Sequence, residues 1–366
     1  MQTRETTTQA PRRLGVTTAE AVVIVAAALA LAAGAGGIAY AVWQSLRPRE
    51  VAGPIGATSA PATDAAPVVC EETGRFDTGL AKSRGIAAGP DATWYVAGDQ
   101  AVRVFDSAGK KLREIDVGEA PAPLAVATDG TLYLATRDRI LVYDDAGKRR
   151  AAWPSAGDKA LLTSLAVTRD HVFVADAGNR VVRRYDRAGK LLGTLGRKDL
   201  DRNVPGLIVP SPYLDIAAGP DGLLRVTNPG RRHVETYTPA GDLEMSWGEY
   251  GRGAKDFAGC CNPAHLAVIV SPESPERVEA IVTCEKGLTR VKLHDIRGRL
   301  IGLVAGPEQF AEHDRLLAGK PSGYPFSALD VAVDPAGRIA ILDPVTQRVR
   351  LFRRLGRGTS QPGARP

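Results

Sequence analysis

LAVTRDHVFVADAGNRVVRRYDRAGKLLGTLG, residues 165–196, holds short alternating apolar runs separated by turn residues. That period is the mark of three or four antiparallel strands, not of a helix. The same frame returns as IAAGPDATWYVAGDQAVRVFDSAGKKLREI from Ile86 and LAVATDGTLYLATRDRILVYDDAGKRR from Leu124. Further copies are IAAGPDGLLRVTNPGRRHVETYTPAGDLEMSWG from Ile216, LAVIVSPESPERVEAIVTCEKGLTRVKLHDIRGRLIGLV from Leu266 and VAVDPAGRIAILDPVTQRVRLFRRLG from Val331. The chain therefore carries six copies of one strand-rich unit.

The D-x-x-G-K element, at Asp106–Lys110 and Asp186–Lys190 with variants at Asp144, Thr238 and Asp295, puts glycine where a hairpin needs a positive φ. It marks the turn into an outer strand. Units of about 40 residues with four strands each bury their faces only by stacking around a channel, so the expected fold is an all-β six-bladed propeller. The sixth copy stops after RVRLFRRLG, one strand short. The stretch Val68–Phe76, ahead of the first copy, is the segment expected to complete that blade and remove the exposed edges.

Ala175–Asp186, A-D-x-G-N-R-V-x-R-R-Y-D, resembles the NHL repeat, and Val68 to Leu355 as a whole resembles six-bladed NHL- or TolB-like propellers. Most other copies replace Asn179 and Arg180, so the resemblance speaks to fold more than to activity. GCCNPAHLAV and TCEKGLTRVK are similar to stretches of membrane-anchored bacterial NHL proteins, a group that brings no activity with it. A peptidyl-hydroxyglycine lyase and lactonase-like hydrolases are also propellers of this type, but their metal-ligand pattern does not map onto this chain.

From Ala21 the N-terminal stretch VTTAEAVVIVAAALALAAGAGGIAYAVW, residues 16–43, runs uncharged for longer than a bilayer requires. Its length, and Tyr40 and Trp43 at its far end, favour an uncleaved signal anchor over a cleaved signal peptide. Arg4, Arg12 and Arg13 before it, against Arg47 and Arg49 after it, lean towards a cytoplasmic N-terminus. The expected order is a cytoplasmic tail (1–15), the anchor (16–43), a Pro/Ala-rich flexible linker (44–67), the propeller (68–356) and a disordered tail (357–366). The propeller is expected outside the membrane, in the periplasm or at the cell exterior.

Of the 366 residues 44% are hydrophobic and 24% charged, a balance that excludes a disordered chain. The net charge of +6 is spread along the sequence, as a solvated surface would have it, and does not form the patch a nucleic-acid partner needs. No G-x-S-x-G elbow occurs, and His171, His233, His265, His294 and His313 stand in no triad context.

Three groups of residues could carry chemistry or recognition. Cys260, Cys261 and Cys284 are expected to meet on the top face, because the hairpin turning near Ser271–Arg277 returns Cys284 towards the adjacent pair. They could form a structural disulfide or stay as buried thiols, act as a redox-active pair or, with His265 or Glu285, make a thiolate metal site. The residues before each repeat anchor are Gly85, Pro123, Ser164, Asp215, His265 and Asp330. Asp215, His265 and Asp330 could therefore hold Ca²⁺ or a transition metal at the channel, or each Asp could cap its own blade by accepting backbone N–H groups. The long connections Gly196–Tyr213, Trp247–Asn262 and Gly306–Leu329 are expected to gather a binding surface from Tyr213, Trp247, Tyr250, Arg252, Glu285, Lys286 and Tyr324, with Phe257, Phe310 and Phe326 nearby. The sequence thus points to a module that binds a protein partner or small ligand through its top face, and needs no catalysis to do so. A metal- or thiol-dependent redox enzyme or electron-transfer accessory centred on the fifth blade is the alternative.

Overall fold

Twenty-four strands in six four-stranded antiparallel sheets make up the described part of the computed structural model, which covers residues 66–320 and 327–356. Each sheet is one repeat. Blade one contains β2 (Ser83–Ala88), β3 (Trp94–Gly98), β4 (Ala101–Phe105) and β5 (Lys111–Asp116). Blade two follows with β6 (Leu124–Val126), β7 (Leu132–Ala135), β8 (Ile140–Tyr143) and β9 (Arg149–Ala152), and blade three with β10 (Leu162–Val167), β11 (His171–Asp176), β12 (Val181–Asp186) and β13 (Leu191–Leu195). Blade four holds β14 (Ile216–Ala218), β15 (Leu224–Asn228), β16 (His233–Tyr237) and β17 (Leu243–Trp247). Blade five holds β18 (His265–Val270), β19 (Val278–Glu285), β20 (Arg290–Asp295) and β21 (Leu300–Ala305).

Blade six is assembled from both ends of the domain: β22 (Asp330–Val333), β23 (Ile339–Asp343), β24 (Arg348–Arg354) and, on the outside, β1 (Cys70–Asp77). β1 runs antiparallel to β24 from Cys70 opposite Arg354 to Asp77 opposite Arg348, so the strand expected to close the ring does close it. Just before β1, the Pro67 carbonyl accepts the Leu303 N–H of β21 at 2.8 Å, and Val69 N–H returns a bond to Leu303 O at 2.9 Å. The innermost strands β2, β6, β10, β14, β18 and β22 are each other's neighbours around the channel.

The outer hairpins show why each D-x-x-G-K carries glycine. Gly189 has φ +93°, and a Cβ there would sit 2.6 Å from the Trp153 ring of the preceding blade. Backbone conformation and close packing both exclude a side chain. Asp186 Oδ1 completes the turn by accepting the N–H groups of Ala188 (3.0 Å) and Lys190 (2.9 Å).

Apolar cores lie between blades one and two, two and three, three and four, five and six, and six and one. The seam between blades four and five is built differently. There Trp247 packs against His294 at 4.8 Å and Phe257 at 6.0 Å, while the fully buried Lys292 places its ammonium 4.0 Å from the Phe257 ring centroid. The connection from blade five to blade six forms a 3-10 turn, Pro307–Phe310, and a short helix α1, Ala311–Leu317.

The expected anchor (16–43), most of the linker, the C-terminal tail and the aromatics Tyr324 and Phe326 lie outside the described residues. Among the described residues no helix is long and apolar enough to cross a membrane.

Candidate functional site

The residue before each repeat anchor falls at or near the start of its inner strand, and on blades four to six it is Asp215, His265 and Asp330. His265 begins β18 and presents Nδ1 at 3.3 Å to Asp330 Oδ1 and at 3.6 Å to Asp215 Oδ2. Sequence register thus brings together three side chains separated by up to 115 residues.

The two carboxylates also lace the blades. Asp215 Oδ2 accepts Leu266 N–H of blade five at 2.7 Å. Asp330 Oδ2 accepts Ile86 N–H of blade one at 3.0 Å, and its Oδ1 accepts Val331 N–H at 2.8 Å. Ser164 does the same between blades three and four, its Oγ accepting Ile216 N–H at 3.2 Å. The capping expected within each blade therefore acts mainly across blades. At Gly85 the device is replaced by contact, since a Cβ would fall 2.2 Å from the Ala122 carbonyl oxygen.

Burial opposes the imidazolium of His265, but the charge of Asp330 and the hydrogen bond and charge of Asp215 overcome it and hold the ring up at about 9. Burial raises Asp330 to about 6, with Asp215 adding to the rise and His265 resisting it. At neutral pH the centre is an imidazolium between carboxylates. Such a ring directs an N–H, not a lone pair, at its partners, and three of the four carboxylate oxygens already accept backbone N–H groups. These side chains do not fit a Ca²⁺ or transition-metal site, and among the described residues no group of three or more His, Cys, Asp or Glu has a metal-holding arrangement.

Above this centre opens a cavity of about 380 Å³. Its walls are largely apolar, from Ala122, Pro123, Leu161, Leu162, Pro212, Ala328, Leu342 and Pro344, with Tyr213 on one side. Its charged lining is Arg84, Arg137, His265 and Asp330. A smaller space of about 80 Å³ continues down the channel past Ser164 and Asp215, with Arg84, His265 and Asp330 shared between the two. The walls come from loops entering inner strands and loops leaving second strands, the face on which the long connections were expected. Tyr213 stands edge-on to His265 at 5.8 Å, and Lys286 sets its ammonium 4.5 Å from the Tyr213 ring centroid.

The remaining expected surface residues divide. Tyr250 is exposed, with the Arg232 guanidinium 5.1 Å from its ring centroid, and Arg252 is exposed on the same loop. Trp247 packs into the seam between blades four and five. Glu285 is fully buried: it accepts Ala258 N–H at 2.8 Å, pairs with Arg290, and lies 3.1 Å from Lys292 Nζ. It holds a loop in place and is not open to a partner.

Glu285 belongs to a series that the repeat frame could have revealed. At the end of the second strand, Asp176 accepts Leu161 N–H, Asn228 accepts Ile208 N–H, Glu285 accepts Ala258 N–H, and Asp343 accepts from His313 Nδ1 of α1 at 2.8 Å. The Asp of the A-D-x-G-N stretch therefore ties down the connection arriving from the blade before. Arg84 was missed, although it sits one residue ahead of the aligned position of Gly85.

The cysteines are dispersed more than the hairpin argument implied. Cys284 does pair with His265 across β18 and β19, but its side chain joins Cys70 in the apolar core between blades five and six. Cys260 and Cys261 remain on the loop before β18, Sγ to Sγ at 3.1 Å, and all four cysteines are free thiols.

No family model and no curated protein matches the sequence. Solved structures similar to this chain include a streptogramin B lyase, at 10% identity and a TM-score of 0.49 over 78% of this chain and 97% of that one. A catalytically inactive virginiamycin B lyase from Staphylococcus aureus with quinupristin gives 10% identity and 0.49 over 81% and 97%. A selenomethionine-substituted virginiamycin B lyase from the same organism gives 9% and 0.49 over 78% and 100%.

Proposed function

We propose that the propeller is a receptor for a small amphipathic ligand with an anionic or strongly hydrogen-bond-accepting head. The observation that carries this is the channel-mouth cavity, whose apolar walls end on His265 and Arg84. A ligand's apolar body lies against Leu161, Leu162, Pro123 and Pro212, and its head meets the charged floor. Such pockets draw affinity from apolar burial and orientation from a few polar groups. Asp215 and Asp330 keep His265 charged and fix its ring; Tyr213, held by Lys286, forms the wall beside it. We assign the propeller to the NHL type on the resemblance of Ala175–Asp186. Residues 16–43 tether it to a membrane, with the propeller on the extracytoplasmic side.

The test uses 8-anilinonaphthalene-1-sulfonate, an apolar anion, titrated into the folded protein by fluorescence. Saturable one-to-one binding is expected at pH 7, weakening at least tenfold as the pH rises through 9, where His265 loses its charge. Tyr213→Ala and His265→Gln should each weaken binding at pH 7, with circular dichroism confirming that the variants are folded. Binding absent at pH 7, or unchanged both across pH 9 and in a folded His265→Gln variant, overturns the proposal.

A further inference from the structure

The cavity leaves one reactive cluster unused. Cys260 and Cys261 line neither space of the channel, and they are adjacent thiols on a loop that cannot easily spread. Before the pair, Ala258 N–H is held by Glu285 at 2.8 Å. After it, Asn262 Nδ2 donates to Ala258 O and Lys286 O, and Asn262 Oδ1 accepts Lys286 N–H at 3.0 Å. Both ends of the dipeptide are thus tied to the end of β19. Cys260 is exposed, Cys261 lies behind it, and a Cβ added at Gly259 would meet nothing within 4 Å, so the approach is open.

The spacing of the sulfurs selects what could join them. At 3.1 Å they are in contact but unbonded. Direct bonding is hindered because neighbouring Cα atoms are about 3.8 Å apart, closer than the 4.4 Å or so that a disulfide prefers. A single bridging atom relieves that conflict. With bonds of about 2.3 Å to sulfur, a linear two-coordinate ion needs its sulfurs about 4.6 Å apart, a tetrahedral ion about 3.8 Å, and a centre with near-right-angled bonds about 3.3 Å. The last lies nearest the 3.1 Å separation and asks least movement of the two side chains. Soft thiol ligands and a pyramidal centre with a lone pair together describe trivalent arsenic.

We propose that Cys260 and Cys261 form a dithiol site for trivalent arsenicals, separate from the ligand cavity. With an arsine oxide, two As–S bonds form and the As–O double bond breaks. The two thiol protons leave with the oxygen as one water, and arsenic stays trivalent throughout. The contact between the thiols raises Cys260 above its ordinary pKa. Cys70 and Cys284 are both buried in the core between blades five and six, shut off from an arsenical in solvent.

The experiment exposes the fully reduced, folded protein to phenylarsine oxide and reads the intact mass. One adduct per chain with loss of one water is expected, removed by 2,3-dimercaptopropanol and resistant to an equal thiol concentration of 2-mercaptoethanol. Cys260→Ser and Cys261→Ser should each lose the stable adduct, whereas Cys70→Ser and Cys284→Ser should keep it. The proposal is overturned if the reduced folded protein takes up no arsenical, or if the adduct survives in Cys260→Ser.

Discussion

At the scale of single residues, His265 couples the channel to pH. A group with a raised folded-state pKa contributes stability that is fully present below its unfolded value and is lost as pH climbs through the folded one. For His265 that window runs from about 6.5 to about 9. Asp330, also raised, makes the fold lose stability between about 4 and about 6. Denaturant midpoints should therefore fall as pH rises from 6.5 to 9, by an amount equivalent to about 3 kcal/mol at most. In His265→Gln that dependence should flatten. A wild-type midpoint constant over this range, or the same fall in the variant, would show that the imidazole is not held charged. Asp215, His265 and Asp330 were legible in the sequence because the repeat frame aligns the residue before each anchor. The cavity walls were not, since Leu161 and Pro212 stand three residues ahead of the aligned position, outside the repeat frame, Leu342 lies near the end of a second strand, and they meet only when the blades converge.

Among elements, the seam between blades four and five departs most from its sequence. In RVKLHD, residues 290–295, polar and apolar residues alternate, which reads as a strand with one face in water. Yet Arg290, Lys292 and His294 are all buried, because the connection Gly248–Cys261 folds over that face. Arg290 donates to the carbonyls of Gly253 and Asp256, and Lys292 Nζ donates to Asp256 O at 2.7 Å. A long loop supplies few apolar side chains but many carbonyls, so cations facing it are satisfied where hydrocarbon would leave those carbonyls unpaired. Burial lowers Lys292 to about 8, with the charge of Glu285 opposing the fall. Glu285→Gln removes the one carboxylate shared by both cations and should cost about 3–5 kcal/mol in urea denaturation. Adding Lys292→Met should recover part of that loss, because the variant pair no longer buries an uncompensated ammonium. A Glu285→Gln change within 0.5 kcal/mol or so of wild type would mean that the cluster does not hold the loop.

For the whole molecule, the decisive step is closure, and it rests on one strand borrowed from the far end of the domain. β1 covers the outer edge of β24 and brings counter-charges with it: Glu71 to Arg353 at 2.6 Å, Glu72 to Arg350 at 2.9 Å and Asp77 to Arg348 at 3.0 Å. These exposed pairs add little energy singly, but they favour this register over a shifted one. Phe76 meets Phe105 at 4.6 Å and lies beneath Gly109 of blade one, so the same strand packs blade six onto its neighbour. The sequence predicted this much from one missing strand and one spare apolar stretch, because a ring admits a single place for each. Without β1, an uncovered seven-residue edge carrying Val349, Leu351 and Phe352 among four arginines, whose Glu71, Glu72 and Asp77 partners are gone, would be a template for another chain. The chain beginning at residue 66 should therefore run as a folded monomer in light scattering, while one beginning at residue 78 should associate or fail to melt cooperatively. If the shorter chain stayed monomeric with an unchanged melting temperature, β24 would need no partner, and the six blades would be held by their inner strands and intervening cores alone.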